Sequence, residues 1–466
     1  MVIEMGHPKG TYLLSSTAML ESMSYYIFAG LLVMYMIDVL HFTDSFSTCL
    51  FGIAYGSTYV LQIVGGYVCD RYLGNRKSIT IGISLIVMAQ MIFSYDASLF
   101  ALSAGVREHA ILLFTYPEIV FLIGVAVMAL GVSFFKVNIA SFMDQFYNEG
   151  ESKLLDSAFS IFYLFINVGG FIAPLLINCV VGVHHPELYQ YGFLIGFIAI
   201  FIGLLVFALA GKRFFISPKG EPLGVEPRFK TPEAASDGSG KLSKVEIGRF
   251  KVIIAILVAT FVFQMFNQQI YTSIILFAES HVNNVIPLIN QEVAPSFYLS
   301  LNPLFIIFLT PVYIRLINSR EISSITKIGV GLLLLGVTYS VLFIAMGTMG
   351  SGMKLSMYWL FLFNFCLVNS ELLTMPVTLS AITKLAPEKY VSSMIGIYYV
   401  TFSIASVIAG ACASAFPNDT STMLFNIIPI VSLQEYFIIF AMFGFVVGGI
   451  WMLFRRRMIR LSDGVL

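Results

Sequence analysis

Charged residues are scarce in this chain, and the motifs of several protein classes are absent. Only 11% of its 466 residues are Asp, Glu, Lys or Arg, and six are His. The sequence has no Gly-Lys-Ser/Thr phosphate loop, no catalytic-triad pattern and no basic surface suited to nucleic acid. Its five cysteines stand singly, without disulfide or metal spacing. We therefore expect no enzymatic activity, no cofactor, no metal site and no nucleic-acid partner.

Hydrophobic residues dominate the composition instead. They make up 58% of the chain, and the mean hydropathy is +0.88, which is far more apolar than a soluble fold of average composition. Runs of roughly 20 apolar residues, the length that crosses a bilayer, recur along the sequence. No cleavable signal pattern precedes the first run, so we expect it to remain as a membrane helix. The twelve predicted helices span residues 12–40, 48–69, 78–95, 116–142, 155–181, 191–211, 250–278, 297–317, 323–346, 357–385, 390–415 and 434–454.

The basic residues indicate the orientation of these helices. With the N-terminus inside, the cytoplasmic connections and termini contain every Lys and Arg except three. Arg107 and Lys354 fall outside, and Lys136 lies within the membrane. Because cytoplasmic loops carry an excess of Lys and Arg, we predict that both termini are cytoplasmic (N-in/C-in).

The chain divides near its middle. Residues 212–248 interrupt the apolar pattern with Pro, Gly, Ser and charged residues, a composition typical of a flexible cytoplasmic linker. We therefore predict an N-terminal six-helix bundle over residues 1–211 and a C-terminal six-helix bundle over residues 249–466. This all-α membrane architecture is expected of the major facilitator fold, whose halves rock about a midplane site. Length and helix count alone also fit other twelve-helix carriers.

Lys136 is the most unusual residue of the sequence. It lies within the fourth predicted helix, with no acid in helical reach. A lysine at the bilayer centre costs about 2.5 to 3.5 kcal/mol on insertion scales, and such residues usually face a cavity or a partner charge. The next helix carries Asn167 and the pair Gly169-Gly170 in an apolar run, and small residues of this kind let helices approach closely.

A second polar motif follows the second predicted helix. Residues 65–77 read GGYVCDRYLGNRK, with an acid at the helix end, then basic residues and a glycine turn. This stretch resembles the loop signature of major facilitators. The resemblance implies a gating role, in which charges pair in one access state and separate in another. The gating residues would be Asp70, Arg71 and Arg76.

Four further motifs narrow the resemblance. They are FFKVNIASFMDQFY with FSIFYLFINVGGFIAPL (134–147 and 159–175), Ser24-Tyr25-Tyr26 with Tyr59, LNPLFIIFLTP (301–311) and ELLTMPVTLSAITKLAP (371–387). Together they resemble the signatures of the proton-dependent oligopeptide transporter family of the major facilitator superfamily. In that family a short peptide lies between the halves, its carboxylate near basic residues of the first half and its amino group near an acid of the second.

The resemblance implies roles for individual residues. Lys136 offers three donors and a positive charge to a substrate carboxylate, and Glu371 would pair with the substrate ammonium or take up a proton. Asparagine and glutamine side chains would hydrogen-bond the peptide, and tyrosines would supply hydroxyls and apolar walls. The predicted substrate-binding residues are Lys136, Glu371, Asn167, Asn302, Tyr25, Tyr26, Tyr59, Tyr163 and Gln268.

Two departures mark an atypical member. The family's first helix usually carries Glu-x-x-Glu-Arg, but the same register here retains only Glu21, with Ser22 where the arginine is usual. In the seventh helix, Asn267 or Gln268 replaces the usual acid. The remaining proton-coupling candidates are Glu21, Lys136 and Glu371. We hypothesise that Glu21 pairs with Lys136, and that a substrate carboxylate competes for the lysine while Glu21 takes a proton.

These inferences combine into one leading function and two alternatives. The chain is expected to be a multi-pass protein of a bacterial inner membrane that imports di- and tripeptides, or peptide-like compounds, with protons by alternating access. Because the first-helix arginine is missing, recognition of an ordinary peptide carboxylate should be altered. One alternative is a facilitator or exchanger of a non-peptide metabolite. The other is a substrate-sensing membrane receptor.

Overall fold

The computed structural model is almost entirely helical. The structure describes residues 7–102, 116–147, 152–183, 185–216, 221–227, 243–287, 290–318, 322–348, 353–387, 391–417, 422–425 and 427–462. Arg107 and residues 217–220 and 228–242 of the predicted linker, which the sequence analysis assigned, lie outside these ranges.

Within these residues, twelve helical spans are long and apolar enough to cross a membrane, which confirms the predicted number. Most begin and end within a few residues of the predicted bounds. The principal helices are α1 (Lys9–Asp38), α2 (Asp44–Val68), α3 (Asn75–Leu102), α4 (Tyr116–Asp144), α5 (Ser152–Val180), α6 (Tyr189–Leu205), α7 (Lys244–Asn267), α8 (Leu301–Asn318), α9 (Ser324–Thr348), α10 (Tyr358–Leu385), α11 (Val391–Ala413) and α12 (Leu433–Leu461).

Several spans depart from regular α-helix. A π-helical turn follows α2 at Cys69–Leu73, and another follows α6 at Val206–Ala210 before a short helix at Gly211–Phe214. A 3₁₀ turn at Gln268–Tyr271 interrupts the seventh span, which continues as Ser273–His281. Irregular turns of this kind are frequent at functional sites.

The few strands lie in loops and do not form a core. The strands are β1 (Val282–Asn283), β2 (Val285–Ile286), β3 (Gln291–Glu292), β4 (Leu355–Ser356), β5 (Thr422–Leu424) and β6 (Ile428–Ile430). β1 pairs with β4 in parallel, while β2 with β3 and β5 with β6 are antiparallel pairs. Each pair is an isolated ladder of two or three residues that joins loop segments.

The chain forms two compact units. The first comprises Met1–Phe42 and Ser57–Asp237, and the second comprises Thr43–Gly56 and Gly238–Leu466. The division after Asp237 falls inside the predicted linker. Assignment of residues 43–56 to the second unit was not predicted, because the sequence places them in a helix of the first half. The linker's flexibility stays a prediction.

Aromatic rings fill the core of the first unit. Phe28 of α1 stacks on Phe93 of α3 at 5.1 Å between ring centroids, and Phe93 packs against Phe193 of α6 at 5.4 Å. Tyr35 adds an edge contact to Phe193 at 5.3 Å. Large rings bury much apolar surface each and add favourable pair geometry, so this cluster fixes α1, α3 and α6 relative to one another.

Glycines set the closest approaches in the second unit. An added Cβ at Gly444 of α12 would lie 2.6 Å from the backbone nitrogen of Gly336 in α9. Elsewhere on α9, Ser370 of α10 donates a hydrogen bond to the carbonyl of Gly331 at 2.7 Å. Close backbone contact of this kind is how membrane helices pack without a hydrophobic driving force.

Candidate functional site

Helix α1 is held against α5 by small residues. An added Cβ at Gly169 would overlap the backbone carbonyl of Met19, so only glycine fits at this crossing. One turn away, the Ser22 hydroxyl donates to the carbonyl of Ile166 at 2.9 Å. Ser22, which stands where the family usually has arginine, therefore serves helix packing here. The contact fixes the neighbouring residue, Glu21, on α1.

Helix α4 is fixed just as closely against α3. An added Cβ at Gly82 would lie 2.7 Å from the backbone nitrogen of Phe135. Asn75 at the start of α3 donates to the carbonyl of Asn138 at 3.0 Å, and Asn138 is itself buried. These contacts flank Lys136 in sequence and hold its backbone. Asn138 was missed by the sequence reasoning, although a buried amide in an apolar helix was the available signal.

Glu21 and Lys136 meet inside the first unit. The Lys136 Nζ lies 3.9 Å from Glu21 Oε1, with side-chain exposures of 36% for the lysine and 4% for the glutamate. This separation exceeds the 2.7 to 2.9 Å of a charge-assisted hydrogen bond. Within the described part of the chain, Glu21 Oε1 has no hydrogen-bond partner. The pair is thus loose, and the ammonium keeps donors available for another acceptor.

An aromatic face completes the lysine's surroundings. The Lys136 Nζ lies 3.8 Å from the centroid of the Tyr25 ring, and Tyr25 is 4% exposed. A ring face attracts a cation by about 0.5 to 2 kcal/mol, more when water is excluded. The sequence predicted Tyr25 only as a wall or hydroxyl of the site. The structure adds that the face of the Tyr25 ring holds the Lys136 ammonium beside Glu21, and the ring itself carries no charge.

If Lys136 binds a substrate carboxylate, as the family resemblance implies, replacement of the Tyr25 ring should weaken substrate binding while Tyr25→Phe preserves it. Without the ring, the ammonium can close on Glu21 and is less available to a substrate carboxylate. Loss of about 1 kcal/mol of cation–π attraction corresponds to roughly a fivefold rise in KM for Tyr25→Leu. Uptake kinetics in vesicles measure this. An equal loss in Tyr25→Phe would assign the effect to the hydroxyl and contradict the role of the ring.

A second polar pair lies in the second unit. Asn302 Nδ2 on α8 donates to Glu371 Oε2 on α10 at 2.9 Å. The bond from Ser370 to Gly331 anchors the adjacent residue of α10 to α9, so the carboxylate is carried on a rigid backbone. One oxygen of Glu371 is thus fixed by a neutral donor. The sequence predicted both residues for the substrate but not their hydrogen bond to each other.

The seventh span contributes uncharged polar groups. Gln268 is 2% exposed, and among the described residues neither its Nε2 nor its Oε1 has a hydrogen-bond partner. Asn267 Oδ1 is likewise buried without a partner there. Leaving a buried polar group unsatisfied costs about 1 to 3 kcal/mol. Both candidates for the family's acidic position therefore carry unused hydrogen-bonding capacity.

The remaining predicted binding residues are distributed over three helices. Asn167 donates to the carbonyl of Tyr163 at 2.8 Å, within its own helix. The ring of Tyr26 packs on Gly170, where an added Cβ would lie 3.1 Å away. Tyr163 is 44% exposed, and Tyr59 is half-buried on α2. Their roles toward a substrate stay predictions.

The predicted gating residues have specific partners. Arg71 donates to the hydroxyl of Tyr67 at 2.7 Å. Arg76 Nε donates to the carbonyl of Leu223 at 2.5 Å, and its Nη2 donates to the carbonyl of Phe215. The backbone of Arg76 also donates to the carbonyl of Gly224 at 2.9 Å. Asp70 lies on the π-helical turn. The role of these residues in gating stays a prediction.

Arg76 therefore fastens the first part of the predicted linker to the first unit. The planar guanidinium suits two carbonyls at once, which a lysine cannot match. We expect Arg76→Ala to lower the Tm, since a hydrogen bond to a charged group is worth about 1.5 to 3 kcal/mol. Arg71→Ala is the matched control, because Arg71 is exposed and, among the residues that the structure describes, its side chain donates a hydrogen bond only to the hydroxyl of Tyr67, four residues earlier. Equal Tm values for the two variants would show that the fastening contributes nothing.

Comparison with known proteins places the chain among membrane transporters. The family model described as Major Facilitator Superfamily matches residues 14–410. A "Di-/tripeptide transporter" of Lactococcus lactis subsp. cremoris is 26% identical over 99% of this chain and 97% of its own length. An "Uncharacterized transporter YclF" of Bacillus subtilis is also 26% identical, over 99% and 96%.

Solved structures give the same fold. A variant of peptide transporter POT in complex with alafosfalin superimposes with a TM-score of 0.82 at 23% identity, covering 98% of this chain and 96% of that one. A POT family transporter in complex with a thioalcohol-conjugated peptide gives a TM-score of 0.82 at 19% identity, with 98% of each chain covered. The predicted major facilitator fold is thereby confirmed.

Proposed function

The chain belongs to the Major Facilitator Superfamily, and from that premise we propose that it imports di- and tripeptides or peptide-like compounds together with protons. The similarity to peptide transporters over nearly its full length supports the substrate class. The observation that carries the proposal is the Lys136 ammonium, which lies 3.9 Å from Glu21 in a bundle of apolar helices. A cation kept in such a place at a cost is a functional group by default.

Lys136 is proposed to bind the substrate carboxylate. Its ammonium is partly exposed, lies over the Tyr25 ring and is only loosely paired with Glu21. A carboxylate that reaches hydrogen-bonding distance gains more from the ammonium than Glu21 does at 3.9 Å, because Coulomb attraction rises as distance falls. A single lysine is a point charge without the fork of an arginine. Ligands with altered carboxyl ends are therefore within the proposed substrate class.

Glu371 is proposed to bind the substrate amino end. Asn302 occupies one carboxylate oxygen, and the other oxygen can accept from an ammonium. The amides of Asn267 and Gln268, which hold unused hydrogen-bonding capacity, suit neutral donors and acceptors such as a peptide bond. The second unit thus offers the substrate one anion and neutral amides.

Glu21 is proposed to carry the coupled proton. When a substrate carboxylate takes Lys136, Glu21 loses its cation and is left buried as an anion, which is costly. Uptake of a proton by Glu21 removes that cost. Binding of substrate and binding of proton are then linked, and the linkage is reciprocal. The exchange needs no arginine on α1.

A transport assay tests the proposed function as a whole. Purified full-length protein in liposomes should accumulate a labelled dipeptide when the outside is made acidic, and unlabelled dipeptide should compete. Counterflow without a gradient reports binding and translocation alone. Counterflow that ignores an imposed pH gradient would reject proton coupling and favour an exchanger. Binding without counterflow would indicate a receptor, and absence of binding would reject peptides as substrates.

A further inference from the structure

A groove on the second unit is independent of the residues proposed for peptide and proton. It lies between α7 and α12, with a cavity volume of about 420 Å³. This is within the range of roughly 300 to 1,000 Å³ that small-molecule sites occupy. Its walls are mainly apolar, and two basic residues line it. The residues used below are Lys251, Val258, Ile450, Trp451, Phe454 and Arg457.

The two basic residues lie toward one end of the groove. Lys251 is near the beginning of α7, and Arg457 is near the end of α12. Gly248 confirms that these helix ends meet, since an added Cβ there would lie 3.1 Å from the carbonyl of Leu461. Among the residues that the structure describes, neither Lys251 nor Arg457 forms an ion pair. Under the predicted topology, this end is cytoplasmic.

The rest of the groove is apolar and has a rigid wall. Val258, Ile450 and Phe454 line it, and each is about half exposed. The indole of Trp451 is fixed by a hydrogen bond from Nε1 to the carbonyl of Ile325 at 2.7 Å. Arg457 lies six helical positions after Trp451, which is about 9 Å along the axis at 1.5 Å per residue. The groove thus presents cations at the membrane surface and an apolar channel below them.

We propose that this groove binds one anionic phospholipid from the cytoplasmic leaflet. The phosphate would lie at Lys251 and Arg457, and an acyl chain would follow Val258, Trp451 and Ile450. Basic pockets between membrane helices on the cytoplasmic side are suited to anionic headgroups. A zwitterionic lipid would bring its own ammonium beside two unpaired cations. A soluble phosphate would leave the apolar channel without an occupant.

Trp451 provides a direct reporter. The chain has two tryptophans, so Trp359→Phe leaves Trp451 alone in the otherwise intact protein. This variant is reconstituted in phosphatidylcholine vesicles that contain a small fraction of lipid brominated in the upper acyl chain. Brominated phosphatidylglycerol should quench Trp451 at lower mole fraction than brominated phosphatidylcholine does. About fivefold selectivity is expected for each basic residue near the headgroup.

Two matched double variants decide the outcome. Lys251→Gln with Arg457→Gln should reduce the phosphatidylglycerol selectivity to about onefold, while Arg456→Gln with Arg460→Gln removes the same charge from the same membrane side and should preserve it. Equal quenching by both lipids in the parent protein would overturn the proposal. So would selectivity that survives the first double variant, or displacement of the brominated lipid by soluble inorganic phosphate. Size-exclusion profiles identify any misfolded variant, and the single substitutions then replace the pair.

Discussion

Lys136→Ala is expected to weaken strongly the binding of peptides that carry a free carboxylate. In the proposed site, this ammonium is the cation of the first unit's Glu21–Lys136 pair. Truncating one partner of a buried charge pair costs about 2 to 5 kcal/mol, so Kd should rise roughly 30-fold or more. Peptides whose C-terminus is amidated should lose far less affinity. A binding titration with matched free and amidated dipeptides measures the difference.

A control must separate the lost carboxylate contact from the buried charge that the substitution leaves behind. Lys136→Ala also strands Glu21, which is 4% exposed, without its cation. The double variant Lys136→Gln with Glu21→Gln has no stranded charge and should recover the Tm, yet it should still fail to distinguish free from amidated peptides. If the double variant bound free peptides like the parent, Lys136 would not be the carboxylate anchor.

Glu21→Gln is expected to eliminate gradient-driven accumulation while it preserves counterflow. The glutamine amide keeps the shape of the side chain but neither takes up nor releases a proton near neutral pH. One pH unit is worth 1.36 kcal/mol per proton, so a coupled carrier accumulates substrate up to about tenfold per unit, whereas the variant should only equilibrate it. Uptake ratios at imposed pH differences, with counterflow on the same vesicles, measure both quantities.

Glu371→Gln provides the comparison for Glu21→Gln. Because Glu371 is proposed to bind the amino end, its neutralisation should raise KM for peptides with a free amine more than for N-acetylated peptides. Coupling should persist in this variant if Glu21 carries the proton. Accumulation that survives Glu21→Gln and disappears in Glu371→Gln would show that Glu371, and not Glu21, carries the coupled proton.

The architecture was largely predictable from the sequence, because its signals are local. Twelve apolar runs give twelve spans, and the unusual lysine stands out within a single helix. The Glu21–Lys136 contact was hypothesised because they are the two opposite intramembrane charges of the first half. The sequence did not predict what Gly169 and Gly82 pack against. Each packs against the backbone of a neighbouring helix, and backbone atoms leave no trace in side-chain patterns.

Other features depended on contacts between distant segments. Arg76 binds carbonyls of Phe215 and Leu223, and any residue type presents such carbonyls, so the linker composition could not reveal it. The contact between the Tyr25 ring face and Lys136 depends on how α1 and α4 are rotated about their own axes, which the sequence does not specify. One tyrosine among 23 could not be singled out by residue type alone. Grouping of residues 43–56 with the second unit is likewise a property of packing.

The Glu21–Lys136 pair also bears on the electrical behaviour of the carrier. In the proposed mechanism, an ionised Glu21 and a protonated Lys136 cancel in charge before substrate arrives. After the proposed exchange, the ammonium faces a substrate carboxylate while Glu21 is protonated, and the sum is again zero. Moving one uncompensated charge through the membrane field costs about 2.3 kcal/mol per 100 mV. The charged groups around Lys136 would therefore sum to zero in both states. Any voltage dependence of transport would originate at the substrate's amino end and Glu371.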